Sequence, residues 1–293
     1  MNNKVVRTVK MLLRHAIKED VEGGDVTTNT VLKKNAIVRA RIIAKQSGVL
    51  CGTTVVVRLA RLVDKKIKVV IKKQDGSKLR SGDTIISFKG PARSILKIER
   101  VALNYLGRLS GIATLTADYA KKTKRYGVDV FDTRKTTPNL RLFERCAVRA
   151  GGGCNHRFGL FDQVLIKDNH IAIARKYEKE TSLAVMVKRA KNKAKKEVLV
   201  EVEVDTLAQL RHVLKASPDI ILLDNMEPAM LKKAVTIVRA AVKKERIKRP
   251  ILEASGGVTL NNVTSVARTG IDRISIGALT HSATGINFSL EII

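Results

Sequence analysis

The chain has 293 residues, with 56 Lys and Arg against 27 Asp and Glu, for a formal net charge of +29. A content of 44% hydrophobic and 28% charged residues is a globular balance and excludes a disordered chain. Aromatic residues make up 3% and Trp is absent, so the core must be aliphatic.

Val5–Ile17 reads as an amphipathic helix, with apolar residues at Val5, Val9, Leu12, Leu13 and Ile17. Glu22–Thr28 reads as a turn. Ile37–Ala44 alternates as a strand, and Val49–Cys51, Ile67–Ile71 and Thr84–Phe88 are shorter strands set off by Gly48, Gly76 and Gly82. This is an α+β pattern. From Leu96 the rhythm changes: one long helix runs to Thr123, and strands then recur at 128–132, 163–167, 198–204, 220–224, 251–254 and 273–277. The segments 173–194, 206–216, 228–246 and 259–269 read as helices between them. Such alternation predicts a parallel sheet. Its strands run into Asp132-Thr133-Arg134-Lys135, Lys167-Asp168-Asn169-His170, Glu201 and Glu203, Asp224-Asn225, Ser255-Gly256-Gly257 and Gly277-Ala278. Polar or glycine chemistry at every strand end suits a β/α barrel better than an open sheet, which gathers its chemistry at one switch point.

No run reaches the roughly 18 apolar residues of a membrane span, and the first twenty residues lack the apolar region of a signal peptide. A cytoplasmic location is expected. Cys51, Cys146 and Cys154 are odd in number and form no C-x-x-C pair, so neither a zinc site nor a disulfide framework is indicated. The positive charge gathers in runs at Lys65-Lys66-Ile67-Lys68, Lys121 to Arg125, Lys188 to Lys196 and Lys243 to Arg249. Without an aromatic stacking motif or a helix-turn-helix, these predict non-specific polyanion binding at low salt rather than a dedicated nucleic-acid function.

The last two strands each lead through a small Gly turn into a helical pattern, LEASGGVTLNN and ISIGALTHS, as a barrel phosphate site does. The segment from Asp132 to His170 carries Arg134, Lys135, Arg141, Arg145, Arg149, His156, Arg157, Lys167 and His170. Cations at strand ends and in a glycine loop suit a polyanion pocket, with guanidinium forks matched to carboxylates and phosphates. Glu201, Glu203 and Asp224 stand opposite, as magnesium ligands or as ion-pair partners of Lys135 and Lys167. A Schiff-base role for Lys135 or Lys167 needs a depressed lysine pKa, which nearby carboxylates oppose.

These residues resemble the quinolinate phosphoribosyltransferase family along essentially the whole chain. The likeness runs from Glu19-Asp20 and Gly24-Asp25-Val26-Thr27 through ERVALNYLGRLSGIATLT, DTRKTTPNLR, GGGCNHRFGLFDQVLIKDNH, VEVEVD, LLDNM, EASGGV and ISIGALTHS. It implies an α/β fold: an N-terminal α/β sandwich over 1–108, rejoined by 280–293, and an incomplete β/α barrel with parallel strands over 109–279. It also implies that quinolinate and phosphoribosyl pyrophosphate give nicotinate mononucleotide, pyrophosphate and carbon dioxide with Mg²⁺, in a homodimer or a higher assembly such as a hexamer whose sites a neighbouring subunit completes. By this resemblance Arg100, Arg134, His156 and Arg157 hold the two quinolinate carboxylates. Lys135 and Lys167 bind phosphoribosyl oxygens and stabilise the leaving pyrophosphate. Glu203 and Asp224 bind the ribose hydroxyls and magnesium, and Ser255, Gly256, Gly257, Gly277 and His281 cradle the 5′-phosphate.

The chain departs from the family at two places. Asn139 stands where Gly is usual, and since Asn tolerates positive φ the turn is expected to survive. Gly107 replaces a larger polar residue in the long helix and is expected to loosen it locally. The competing readings are a paralogous phosphoribosyltransferase acting on another carboxylated ring, and a polyanion-binding protein that uses the barrel as a scaffold. The second predicts salt-sensitive RNA binding unaffected by substitution of Arg134 or Lys135.

Overall fold

The computed structural model describes residues 3–179 and 182–293. In chain order the elements are α1 (Asn3–Val21), α2 (Val26–Val31), β1 (Ile37–Ala44), β2 (Gly48–Val49), α3 (Thr53–Val63), β3 (Lys68–Ile71), β4 (Lys78–Leu79), β5 (Thr84–Pro91), α4 (Ala92–Thr123), β6 (Asp129–Phe131), α5 (Arg141–Ala150) and β7 (Val164–Ile166). There follow α6 (Asp168–Tyr177), α7 (Leu183–Lys193), β8 (Val200–Val204), α8 (Leu207–Leu214), β9 (Ile220–Asp224), α9 (Pro228–Glu245), β10 (Ile251–Ser255), α10 (Val263–Ala267), β11 (Arg273–Ser275), α11 (Ala278–His281) and β12 (Phe288–Ile292).

The chain divides into two compact units, the first comprising Met1–Ala117, Thr136–Gly152 and Ser282–Ile293, the second Asp118–Lys135 and Gly153–His281. In the first unit an antiparallel sheet has the order β12-β1-β5-β3, and β2 pairs with β4 beside it. The alternation read in Ile37–Ala44 is a strand over the same residues, and its Ala40, Ile42 and Ala44 are fully buried. The C-terminal strand β12 sits on β1 with Ala40 opposite Ile292 and Ala44 opposite Phe288.

The expected turn at 22–28 is a helix from Val26, because the Asp25 carboxylate caps it by accepting from Thr28 N at 2.9 Å. Helix α3 had no counterpart in the sequence reading, since its Thr-Thr-Val-Val-Val start carries β-branched residues that favour strands. Burial of Val55, Val56, Leu59 and Ala60 overrides that preference. Asn139 holds its turn at φ +65°, as expected of Asn.

Gly107 does not loosen the long helix, which runs unbroken through it. A Cβ at Gly107 would come within 2.9 Å of Ile286 O, and one at Gly111 within 2.1 Å of Thr284 O. Both glycines let the returning chain lie directly on the helix backbone, where Gly107 O accepts from Ile286 N at 3.0 Å.

In the second unit six parallel strands lie in the order β6-β11-β10-β9-β8-β7, an incomplete barrel with β6 and β7 at its open edges. Strand β9 reads Ile-Ile-Leu-Leu-Asp and is buried up to its final Asp224, as strands covered on both faces are. The single helix read over 173–194 is divided into α6 and α7, the second capped by the Ser182 hydroxyl, which accepts from Val185 N. Part of that expected helix, residues 180 and 181, lies outside the described residues. The helix expected from Thr259 begins only at Val263. Among the described residues no helix is long and apolar enough to cross a membrane.

Candidate active site

Because the strands are parallel, their C-terminal ends all face one way, and the loops leaving them enclose a cleft of about 740 Å³. β6 delivers Arg134 and Lys135, β7 Lys167, β8 Glu203, β9 Asp224, and β10 the Ser255-Gly256-Gly257 turn; β11 leads to Gly277, and α11 carries His281. His156 and Arg157 enter from the glycine loop. Of the residues named from the resemblance, only Arg100 is not among those lining the cleft; it is exposed on α4. Arg141, Arg145, Arg149 and His170 from the cationic segment do not line it either.

At one end the backbone is shaped for close approach. Gly256 has φ +86°, and a Cβ there would lie 2.1 Å from Asn225 Oδ1. Gly257, at φ +60°, faces open space. Gly277 is fixed by space, since a Cβ would lie 3.0 Å from Lys135 Cδ and 3.1 Å from His281 Nε2. The Thr280 hydroxyl donates to Lys135 O at 2.7 Å, so the second glycine turn also fixes the lysine's backbone. With α10 starting late, the first turn offers its loop backbone rather than a helix end directly after the glycines.

At the middle of the cleft Lys167 Nζ lies 3.2 Å from Glu203 Oε2, with the lysine side chain 44% exposed and the glutamate 11%. Burial raises the Glu203 carboxyl pKa; Lys167 opposes the rise and the Asp224 charge adds to it. Asp224 is raised too, first by burial and then by Asp205, against the pull of Lys167. Two carboxylates whose ionisation is made costly by burial and by neighbouring acids beside a cleft are suited to a hard divalent cation, which takes oxygen ligands and offsets that cost.

Arg157 is only 9% exposed and donates from Nη1 to Gln163 O at 3.1 Å. Burial lowers its pKa, and the nearby Arg134 charge lowers it further, so these two guanidinium groups feel each other across the cleft. A dianion placed between them removes that repulsion.

Below His156 lies a charge cluster the sequence did not disclose in full. Glu201 and Glu253 are completely buried, with His156 Nε2 3.2 Å from Glu201 Oε2 and 3.5 Å from Glu253 Oε1. Arg273 Nε pairs with Glu253, and the Gln163 amide donates to Glu201. Burial opposes charge on His156, but hydrogen bonds to the two glutamates outweigh it and push the pKa up to about 9. Nδ1, however, accepts from Arg157 N at 2.7 Å, and a proton there would set two N–H groups head-on. The contact decides for the ring itself. It is the Nε2–H tautomer, and the extra proton drawn by the carboxylates belongs to the cluster as a unit. Burial, with Glu253 beside it, raises Glu201, whereas the bonds from His156 and the Arg273 charge outweigh burial at Glu253 and hold it low.

The sequence reading placed Glu201 at the mouth with Glu203; the structure puts it beneath, because a residue two positions earlier on the strand lies deeper on the same face. Glu253 and Arg273 were missed. Each sits inside an apolar strand and could have been noticed only as a charge where the pattern demands an aliphatic side chain. Asn225, Thr133 and Ser275 line the cleft without having been named as ligands.

Residues 25–110 match the family described as quinolinate phosphoribosyl transferase, N-terminal domain, and residues 112–291 its C-terminal domain. A probable nicotinate-nucleotide pyrophosphorylase [carboxylating] of Bacillus subtilis is 38% identical over 97% of this chain and 93% of its own length. The nicotinate-nucleotide pyrophosphorylase [carboxylating] of Mycobacterium leprae is 36% identical over 96% and 95%. The solved nicotinate-nucleotide pyrophosphorylase of Francisella tularensis superposes with a TM-score of 0.89 at 36% identity, covering 98% of this chain and 96% of its own.

Proposed function

The chain belongs to the quinolinate phosphoribosyltransferase family, and from that premise we propose that the cleft over its parallel sheet is where quinolinate meets phosphoribosyl pyrophosphate. The enzyme is a carboxylating nicotinate-nucleotide pyrophosphorylase, a pentosyltransferase of NAD biosynthesis. The observation that carries the site assignment is the gathering of Arg134, Arg157, Lys135 and Lys167 with Glu203 and Asp224 in one cleft.

The ring nitrogen of quinolinate bonds to the anomeric carbon as the bond to pyrophosphate breaks. Positive charge developing on the sugar is stabilised by Glu203 and Asp224, while Lys135 and Lys167 hold the departing oxygens. The C2–carboxylate bond then breaks, carbon dioxide leaves, and the electron pair remains at C2 beside the new pyridinium nitrogen until C2 takes a proton. No side-chain base is needed for that loss. Arg134 and Arg157 hold the diacid, since a guanidinium keeps a carboxylate ionised where an acid would protonate it. Ser255, Gly256, Gly257, Gly277 and His281 receive the 5′-phosphate. Glu203 and Asp224 would hold magnesium, directly or through water, and the bound ion would supply charge neutralisation of the leaving group.

The quaternary state we propose is a homodimer or a higher homo-oligomer, with exposed Arg100 as the candidate to reach a partner subunit's cleft; light scattering on the purified chain tests the assembly. The proposed location is cytoplasmic. The deciding experiment mixes purified protein with quinolinate, phosphoribosyl pyrophosphate and Mg²⁺ and looks for nicotinate mononucleotide and carbon dioxide in equal amounts. Product without carbon dioxide, or only with a monocarboxylate ring, contradicts the assignment of the cleft to a diacid.

A further inference from the structure

The buried group beneath the cleft has features that binding chemistry at the mouth does not account for. Glu201 and Glu253 are completely buried, and the Arg273 side chain is 11% exposed. Burying two carboxylates under a substrate-binding cleft costs several kcal/mol of hydration each unless their bonds are well made. Such a group is therefore not incidental to packing; aliphatic residues would fill the same volume at less cost.

Its connections run toward a single destination. Glu201 Oε2 accepts from the Gln163 amide and from His156 Nε2. The Gln163 main-chain carbonyl accepts from the Arg157 guanidinium at 3.1 Å. His156 Nδ1 accepts from the Arg157 main-chain N–H at 2.7 Å. Glu201 thus reaches Arg157 twice, through its side chain by way of Gln163 and through its backbone by way of His156. Arg273 and Glu253 close the group from the other side, with Arg273 Nη2 3.7 Å from Glu201 Oε1. On the remaining flank Asp132 accepts from His156 N and from the Asn155 amide, both at 2.7 Å, and thereby pins the loop that carries His156. Both ring nitrogens of His156 already have partners within the protein, so the ring is bound into this frame rather than aimed at a ligand.

We propose that Glu201, His156 and Gln163 are positioning residues that hold the Arg157 guanidinium in place for the diacid, with Glu253 and Arg273 bracing Glu201 from below. The inference rests on the reading of Arg157 as a carboxylate ligand and gives His156 a positioning role beside it. A guanidinium fork binds a carboxylate through two parallel bonds only when its plane is fixed, and misplacement by about 1 Å at a reacting centre costs on the order of 100-fold. The same three atoms, His156 Nε2 and one oxygen of each glutamate, all lie within 4.8 Å of one another, as a metal site would have them. One oxygen of each carboxylate, Glu201 Oε1 and Glu253 Oε1, is buried without a hydrogen bond, but the Arg273 guanidinium lies against both glutamates, and a fixed positive charge there disfavours a cation, so a bracing role fits the surroundings better.

The test is a double-mutant cycle between Glu201 and Arg157, read by steady-state kinetics for each substrate and by thermal unfolding. Glu201→Ala is expected to raise KM for quinolinate by about 10-fold or more while kcat and KM for phosphoribosyl pyrophosphate change by less than about 3-fold. Glu201→Gln keeps an oxygen acceptor for both donors and is expected to restore most of the quinolinate KM. In an Arg157→Ala background, Glu201→Ala is expected to add almost nothing, because the group it positions is gone. Additive effects, equal losses for both substrates, or no rescue by Gln overturn the proposal. So does a stoichiometric metal in the purified enzyme that His156→Ala abolishes. If Arg157→Ala alone leaves the quinolinate KM unchanged, it is the underlying assignment of the diacid site that fails, which separates the two ideas. Should Glu201→Ala not fold, His156→Gln read against Arg157→Ala supplies the same cycle from the other branch.

Discussion

Arg157 is a guanidinium at 9% exposure whose pKa burial and the Arg134 charge both press downward. The Glu201 and Asp162 charges oppose that pressure without cancelling it; a bound dicarboxylate adds countercharge, and charge-assisted bonds of this kind contribute about 1.5–3 kcal/mol each. Arg157→Ala is therefore expected to raise KM for quinolinate by roughly 10- to 100-fold and to leave phosphoribosyl pyrophosphate nearly untouched. Asp224→Ala is expected to do the reverse, and initial-rate kinetics with each substrate varied in turn checks both; matching losses would count against separate subsites. Gly277 offers a third residue-level case. Its φ is not in the left-handed region, so Ala suits the backbone, but the new Cβ at 3.0 Å from Lys135 Cδ and 3.1 Å from His281 Nε2 must push both aside. Gly277→Ala should weaken phosphoribosyl pyrophosphate by about 10-fold with little change in melting temperature, a pattern opposite to that of a folding defect.

Among the elements, the long helix and the segment that returns across it depend on each other. Gly111 meets Thr284 O so closely that any Cβ collides with main chain, which cannot rotate away. Gly111→Ala is expected to destabilise the protein by about 1–3 kcal/mol, visible as an earlier urea midpoint, whereas Ala at Gly82, where nothing lies near a Cβ but φ is +89°, tests backbone strain alone. Elements with one clear period were legible. β1 coincides with its alternating run, and β9 was bounded by apolar residues ending at Asp224. α3 was not, because a Val-rich stretch satisfies strand propensity and only burial against its neighbours selects the helix. The break between α6 and α7 was hidden for a different reason: lysine-rich helices carry little apolar punctuation, and the Ser182 cap is a single weak local signal.

For the whole molecule the net charge of +29 sets the behaviour in solution. RNA or heparin should be retained at low ionic strength and released near physiological salt, with Arg157→Ala and wild type eluting alike, because the runs at Lys121–Arg125 and Lys243–Arg249 carry that binding rather than the cleft. The charge also sharpens acid sensitivity. Asp219 is held below its usual pKa: burial opposes this, but the bonds from Lys191 and Val200 N outweigh it. A carboxyl with a depressed folded pKa contributes stability above its unfolded value near 4 and loses it as pH falls through the folded one. Protonation there also removes negative charge from an already cationic protein. Stability should accordingly drop steeply below about pH 4, and added salt should move the acid midpoint to lower pH. Asp219→Asn should blunt that drop while lowering stability at neutral pH.

The sequence by itself determined the aliphatic core, the alternation that makes a parallel sheet, and the identity of most groups at the strand ends, because period and strand direction are local properties of the chain. Tertiary structure alone decided that Glu201 lies beneath the mouth rather than on it, that His156 spends both nitrogens on the protein, and that Gly107 is a crossing point instead of a weak link. Depth, partner and clearance are relations between residues far apart in sequence, and no window along the chain contains both members of such a pair.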